Sequence, residues 1–230
     1  MKRSFINRKI TEGIAVLKEQ RFYLPPWLYW SPAQWVRVGH EADEIRERSL
    51  GWDITDFGYE DFARVGLLVV TIRNGRLTEQ FEPMVKTYCE KILLVDEEQE
   101  TPTHFHWYKM EDIINRGGGN LVLQFWQADQ NEGLDPRTPL EMSIDGIRTE
   151  VAPGGCVTLE PGQSITLAPF VYHRFFGEKG KGMVLVGEVS RVNDDTRDNR
   201  FLEPLLRYPT IEEDAEPQYL LCTEYPKAKP

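Results

Sequence analysis

The chain has 230 residues, of which 40% are hydrophobic and 28% charged, so it is long enough for one well-packed globular domain with an extension. Its net charge of −10 argues against nucleic acid or an anionic membrane surface as a partner, because both select basic patches. Cys89, Cys156 and Cys222 form no CxxC pair, and the apolar run 66–70 is too short to span a bilayer. The first residues contain no apolar signal segment, and these features together predict a cytoplasmic protein.

The first part of the chain, residues 1–60, is predicted to be a helical extension. Apolar positions in residues 7–20 have the spacing of an amphipathic helix. Residues 24–30 are aromatic and contain two prolines, which predict a loop. Residues 31–38 begin with Ser and Pro, the types preferred at the N-cap and first position of a helix, and a further helix is expected over 41–48.

From residue 61 to residue 200 the pattern changes to short strands separated by turns. Asn74-Gly75 and Asp145-Gly146 are pairs preferred in two-residue hairpin turns. Short strands at a spacing of roughly 8–12 residues are typical of a β-sandwich or barrel. The last segment, 201–230, is rich in Pro and Glu and is predicted to be an arm that wraps the barrel. The predicted strands are 67–72, 86–95, 121–127, 142–144, 147–149, 156–159, 164–167 and 183–190.

Two of the four histidines, His104 and His106, are separated by one residue. On a β-strand their imidazoles point to the same face, and two imidazoles near a carboxylate can bind a transition metal. Glu111 has the opposite parity, so it can join the two histidines only if the strand breaks near residues 107–108. Because Lys109 and Glu111 share parity, the same break is predicted to turn Lys109 inward.

A fourth ligand is expected from a distant strand, and His173 is the best candidate because a turn sequence containing Pro169 precedes it. Three imidazoles and one carboxylate leave two open positions on an octahedral ion. Mn²⁺, Fe²⁺, Co²⁺, Ni²⁺ and Zn²⁺ all tolerate this ligand set. Two adjacent open positions suit a bidentate oxygen ligand, such as the O1/O2 pair of an aldose.

The spacing of these residues resembles the first motif of the cupin superfamily. His104-x-His106, four residues, Glu111, six residues and Gly118 match that motif in full. The second motif matches less well, because the glycine that usually lies between Pro169 and His173 is absent. The resemblance implies a mainly β fold, a jelly-roll barrel of two antiparallel sheets, and a single cupin domain over 1–230.

Three segments, residues 24–35, 104–112 and 192–204, are similar to the D-lyxose isomerase family, and the similarity spans nearly the whole chain. This resemblance implies interconversion of D-lyxose and D-xylulose, and often of D-mannose and D-fructose. It also implies Mn²⁺ dependence, a small-molecule sugar as the partner, and a homodimer.

Isomerisation through a cis-enediol requires a divalent metal, a general base and a cation that stabilises the enediolate. Lys109 is the candidate cation or proton shuttle, and a nearby metal ion would lower its pKa. The base should be a carboxylate outside the ligand set. Glu203 is the first candidate, and Asp194, Asp195 and Glu188 are the alternatives.

Two other functions use the same residues. An Fe²⁺ cupin dioxygenase would need the same four ligands, although oxygen chemistry has no need for the lysine. A non-catalytic sugar-binding cupin would use the metal only for structure. A sugar-phosphate isomerase would require an arginine cluster, which the sequence does not reveal.

Overall fold

The computed structural model describes residues 1–76, 78 and 85–228. The helices are α1 (Arg3–Glu19), α2 (Pro32–Trp35) and α3 (Asp43–Glu47), with 3₁₀ turns at Pro26–Tyr29 and His40–Ala42. The strands are β1 (Gly51–Thr55), β2 (Leu67–Arg73), β3 (Tyr88–Val95), β4 (Glu100–Phe105), β5 (Glu111–Gly118), β6 (Leu121–Ala128), β7 (Leu134–Asp135), β8 (Leu140–Ile144), β9 (Ile147–Val151), β10 (Cys156–Leu159), β11 (Ser164–Leu167), β12 (Val171–Gly177), β13 (Val184–Arg191) and β14 (Arg200–Phe201). Within these ranges no helix is long and apolar enough to cross a bilayer.

The strands form two antiparallel sheets that enclose the main core. One sheet has eight strands in the order β1-β2-β3-β13-β5-β11-β8-β9. The other has the order β10-β6-β12-β4-β14, with β7 paired to β6. Apolar residues of both sheets pack into one buried cluster. This architecture confirms the predicted cupin jelly-roll barrel with a helical N-terminal part.

The β1–β3 part of the eight-stranded sheet is buried on both faces because α1 covers its outer side. Val69 and Leu93 point into the barrel, whereas Leu68 and Leu94 point towards α1, as the period of two along a strand requires. Gly13 of α1 allows the close approach. A Cβ at this position would lie 2.7 Å from Leu94 Cδ1 and 3.0 Å from Leu68 Cδ2.

The helical predictions are confirmed in outline. The predicted helix 7–20 begins earlier, at Arg3, whose guanidinium pairs with Glu213 and Glu224 of the C-terminal segment. Ser31 caps α2 with a capping box, as its residue type predicts. The loop predicted over 24–30 contains a 3₁₀ turn, because its second proline occupies the first position of the turn, where no N–H is needed. One strand, β1, lies inside the segment predicted to be helical and extends the main sheet.

One of the two predicted hairpins is confirmed. Asp145 and Gly146 connect β8 to β9 with φ angles of 51° and 80°, which a two-residue turn of this type requires. The prediction of a two-residue hairpin at Asn74-Gly75 is wrong, because β2 ends at Arg73 and β3 begins only at Tyr88. Asn74 instead bridges to Asn193, donating to its carbonyl at 2.9 Å and accepting from its N–H at 3.0 Å. Part of the connection, residues 77 and 79–84, lies outside the described residues.

The C-terminal segment runs back over the barrel. Glu212 forms a bridge with Lys2, and Leu221 forms a bridge with Trp52 of β1. Arg207, which precedes these two bridges, and Cys222, which follows them, line the cavity of the barrel. The segment 201–230, predicted to be an arm, therefore contributes to the wall of the candidate site.

Candidate metal centre

The break between His106 and Glu111 is confirmed, because β4 ends at Phe105 and β5 begins at Glu111. Asp198 holds the intervening turn. Its carboxylate accepts the N–H of Tyr108 at 2.7 Å and that of Lys109 at 2.8 Å, and its carbonyl lies 2.7 Å from His106 Nδ1. The turn thereby directs Lys109 and Glu111 into the barrel, where both are buried.

The three predicted histidine ligands converge inside the barrel. His104 on β4 lies directly opposite His173 on β12, and the ligand atoms of His104, His106 and His173 all lie within 4.8 Å of one another. Each ring is oriented by a carbonyl oxygen 2.7 to 3.0 Å from its Nδ1. With the proton on Nδ1, the Nε2 lone pair of each ring is available for a metal. Burial lowers the pKa of His104 well below its usual value, which keeps this imidazole neutral. The carbonyl oxygens belong to Pro102, Asp198 and Val171.

Glu111 completes a donor set that fits a divalent metal ion. Its Oε1 lies 3.4 Å from His106 Nε2 and 3.3 Å from His173 Nε2. His106 Nε2 is buried and has no hydrogen-bond partner among the described residues. An unpaired buried nitrogen is costly, and coordination to a metal would satisfy it. Three neutral imidazoles and a carboxylate are ligands that Mn²⁺, Fe²⁺, Co²⁺, Ni²⁺ and Zn²⁺ accept.

Lys109 lies between two carboxylates. Its Nζ is 2.8 Å from Glu111 Oε2 and 2.8 Å from Glu188 Oε1. Burial opposes the charge on Lys109, but the two carboxylates outweigh it and raise the pKa of the ammonium. This direction is opposite to the lowering expected from a metal alone. Burial also opposes the charge on Glu111, but the ammonium of Lys109 holds the pKa of that carboxyl well below its usual value.

The four carboxylates considered as the base have different positions. Glu188 on β13 is buried and contacts Lys109. Asp194 and Asp195 also line the cavity. The structure does not bring Glu203 to the site, since its side chain is exposed and does not line the cavity. The reason is local: β14 ends at Phe201, so the strand parity that turns Phe201 inward does not extend to Glu203.

A second group of buried charges lies on the cavity wall, of which sequence reasoning named Asp195 as an alternative base but missed the cations beside it. Lys91 Nζ lies 3.3 Å from Glu188 Oε1 and 3.9 Å from Asp195 Oδ1. Arg207 Nη2 lies 3.2 Å from Asp195 Oδ2 and 2.6 Å from Asp53 Oδ2. Burial raises the pKa of Asp195, but Lys91 and Arg207 outweigh it and hold that pKa below the usual range. The only sequence signal is the run of Asn and Asp from Asn193 to Asn199.

Several arginines also line the cavity wall, although the sequence did not show that they lie close together. Arg76 lies 2.7 Å from Glu47, and Arg197 lies 3.9 Å from Asp194. Arg207 has two carboxylate partners, so these guanidinium charges are matched by carboxylates of the same wall. A cavity of about 420 Å³ with paired charges suits a neutral polyhydroxyl molecule. The lining arginines are Arg48, Arg76, Arg197 and Arg207.

The jelly roll, the three converging imidazoles and the adjoining carboxylates define a cupin with a candidate metal centre. Comparison with known proteins narrows this class. The family model for D-lyxose isomerase matches residues 1–225, and the chain belongs to that family.

Two relatives have names that describe an activity. The D-lyxose/D-mannose isomerases of Serratia proteamaculans and of Escherichia coli O157:H7 are each 48% identical to this chain over 226 residues, which is 98% of both chains in each case. Solved structures of L-ribose isomerases share the fold at low identity. The Cellulomonas parahominis enzyme without ligand has a TM-score of 0.61 at 15% identity, covering 92% of this chain and 98% of its own. A variant of the Acinetobacter sp. DL28 enzyme in complex with L-ribose has a TM-score of 0.62 at 14% identity, with the same coverage.

Proposed function

We propose that this protein is a metal-dependent aldose–ketose isomerase that interconverts D-lyxose and D-xylulose, and D-mannose and D-fructose, through a cis-enediol. The observation that carries the proposal is the convergence of three imidazoles and Glu111 beside the buried Lys109–Glu188 pair. The names of the two relatives at 48% identity support the same substrates.

In this proposal His104, His106, Glu111 and His173 hold the metal ion. A bound divalent cation would polarise the carbonyl and the neighbouring hydroxyl of the open-chain sugar. The chain's own task is to orient the imidazoles so that their Nε2 atoms face the metal position, which the three Nδ1–carbonyl contacts achieve. We take Mn²⁺ as the native metal from the family resemblance, while Zn²⁺, Co²⁺, Fe²⁺ and Ni²⁺ are compatible with the same ligands.

Glu188 is the proposed general base. Its contacts with Lys109, Lys91 and Ser190 are all made through Oε1, which leaves Oε2 without a partner among the described residues. Glu188 can therefore remove the proton from C2 of the aldose and return it to C1 of the enediol, which converts the aldose into the ketose.

Lys109 is the proposed acid. As an ammonium it donates a proton to O1 as negative charge develops there, and it recovers a proton from the O2 hydroxyl. The overall change is the transfer of one hydrogen from C2 to C1 and one from O2 to O1, so no electron acceptor is required. Turnover should therefore be complete without oxygen, unlike that of a dioxygenase.

The test is to strip the protein of metal, reload it with Mn²⁺ and incubate it with D-lyxose in deuterium oxide under nitrogen. We expect D-xylulose to appear, with deuterium at C1 in the fraction that exchanges with solvent. Metal-loaded protein that is inert towards aldopentoses and aldohexoses would refute the proposal. Activity that requires oxygen would point to the dioxygenase.

The remaining features expected from the resemblance are proposals of the same kind. A homodimer is testable by light scattering, and the native metal by elemental analysis of protein purified without added metal. The cytoplasmic location stays a prediction.

A further inference from the structure

Two residues that do not line the cavity have backbone conformations that favour glycine. Glu132, in the turn between β6 and β7, and Phe170, in the turn before β12, both have a φ angle of 61°. A residue with a side chain rarely adopts this left-handed conformation, and it persists only where the surrounding contacts hold it. The contacts of both residues lead to the segments that carry the candidate metal ligands.

Phe170 joins the turn after β4 to the turn before β12. Its N–H donates to the carbonyl of His106 at 3.0 Å, and its carbonyl accepts from the N–H of Ala128 at 2.9 Å. The centroid of its ring lies 5.4 Å from that of Phe105. The backbone of His106 is therefore connected through one residue to the start of β12, the strand that carries His173.

Glu132 connects three further points of the chain. Its Oε1 accepts from Trp107 Nε1 at 2.8 Å, and its Oε2 accepts from Arg200 Nε at 3.1 Å. Its backbone carbonyl accepts from the hydroxyl of Tyr172 at 2.7 Å. The ion pair with Arg200 is exposed and contributes little, so the contacts with Trp107 and Tyr172 matter most.

These two partners of Glu132 are the direct neighbours of two candidate metal ligands. Trp107 follows His106, and Tyr172 precedes His173. Adjacent residues of a strand point to opposite faces, so Tyr172 contacts Glu132 outside the barrel while His173 points inward. Contacts made outside the barrel therefore fix the backbone segments whose imidazoles converge inside it, where the ring centroids of His106 and His173 are 5.7 Å apart.

We propose that Glu132 is a positioning residue for the candidate metal centre, which holds the segments of His106 and His173 at the separation that a metal ion requires. The proposal rests on the metal ligands assigned in the proposed function. If the two segments could move apart, metal binding would have to order them, and this entropic cost would lower the affinity. Removing the contacts of Glu132 should thus weaken metal binding although every ligand is still present.

Two variants remove these contacts separately. Glu132→Gly deletes the carboxylate but keeps the backbone carbonyl, and glycine adopts a positive φ without strain. Tyr172→Phe deletes only the hydroxyl that donates to Glu132. The matched control for the first variant is Glu98→Gly, because Glu98 also has a positive φ, 56°, and pairs with Lys179 at 3.1 Å. The control for the second is Tyr219→Phe, because Tyr219 packs against the core on the α1 side of the sheet.

Each protein is stripped of metal, and the dissociation constant of Mn²⁺ is measured by calorimetry. We expect this constant to rise about 3- to 10-fold in Glu132→Gly and about 2- to 5-fold in Tyr172→Phe, less than the roughly 10- to 100-fold typical of groups that contact metal ligands directly. The absorption bands of the Co²⁺-loaded protein should shift in both variants, because these bands report the geometry of the ligands. Both controls should match the wild type in both measurements.

Two results would overturn the role of Glu132. One is a Mn²⁺ dissociation constant of Glu132→Gly equal to that of the wild type, together with unchanged Co²⁺ bands. The other is an equal weakening in Glu98→Gly, which would assign the effect to glycine in a strained turn. If Glu132→Gly does not fold, Tyr172→Phe decides by the same criteria against Tyr219→Phe. A wild-type protein that binds no Mn²⁺ would instead refute the metal centre of the proposed function, so the two failures are distinguishable.

Discussion

Replacing Glu188 with glutamine tests the proposed acid–base pair most directly. The substitution keeps the shape of the side chain and an oxygen that can accept from Lys109, but it removes the charge and the basicity. Each neighbouring ammonium retains another partner: Lys109 keeps Glu111 at 2.8 Å, and Lys91 keeps Asn193 Oδ1 at 2.8 Å. We therefore expect the variant to fold, with about 1–3 kcal/mol less stability.

The expected loss of turnover is much larger than the loss of stability. A positioned general base contributes about 10²- to 10⁴-fold, which corresponds to roughly 3–5 kcal/mol in the activation free energy. The loss should appear in kcat rather than in KM, because Glu188 acts on the C2 proton and is not a ligand of the metal in this proposal.

The assay measures ketose formation from D-lyxose together with deuterium exchange at C2 and the metal content of the same sample. We expect Glu188→Gln to retain its metal while losing both turnover and exchange. Glu203→Gln is the matched control, because Glu203 is exposed and lies outside the cavity wall. The reasoning fails if Glu188→Gln retains more than a tenth of the wild-type kcat, or if Glu203→Gln loses activity to a similar extent.

Three further predictions concern the metal, the turn and the charges of the wall. His106→Gln should lower the metal content that remains after dialysis. His40→Gln is the control, because His40 is exposed and pairs with Asp43, and it should leave the metal content unchanged. Equal metal contents in the two variants would contradict the ligand assignment. Asp198→Ala leaves two backbone N–H groups of the turn without acceptors and should reduce the free energy of unfolding in urea by about 2–4 kcal/mol. Asp135→Ala, at an exposed turn, should cost less, and a loss no larger than this control would refute that role for Asp198. Lys91 and Arg207 hold the pKa of Asp195 low in the folded protein, whereas in the unfolded chain the pKa of an aspartate is about 4. The ionised carboxylate of Asp195 therefore stabilises the fold above pH about 4, and this stabilisation is lost as the pH falls below that value. The stabilities of wild type and Asp195→Asn should thus differ most at pH 7 and converge towards pH 3, and a difference independent of pH would contradict this.

The metal ligands could be predicted from the sequence because their geometry is largely local. Residue parity along β4 places His104 and His106 on one face, and the parity conflict with Glu111 requires the turn that β4 and β5 show. The inward position of Lys109 follows from the same parity. His173 needed a long-range assumption, which its register opposite His104 supports.

The rest of the site depends on contacts that no local pattern encodes. Glu188 reaches Lys109 because β13 pairs with β5, where Ser190 lies opposite Glu111. Arg207 reaches Asp53 across 154 positions of the chain, only because the C-terminal segment folds over β1. The hairpin predicted at Asn74-Gly75 failed for a related reason. The residue pair is typical of tight turns, but the side chain of Asn74 makes long-range hydrogen bonds with Asn193 instead.

Charges alternate in sign along the cavity wall from Glu111 at the candidate metal centre to Asp53 on β1, and this order has a chemical consequence. Successive contacts measure 2.8, 2.8, 3.3, 3.9, 3.2 and 2.6 Å. Each interior charge therefore has opposite charges on both sides, which offsets its desolvation cost. A change of charge at one position alters the electrostatic environment of its neighbours, so the proposed base and the proposed acid depend on the whole series. A substitution at the far end must therefore conserve charge, as Arg207→Lys does, if its own effect is to be separated from an effect on Glu188. The series runs Glu111, Lys109, Glu188, Lys91, Asp195, Arg207, Asp53.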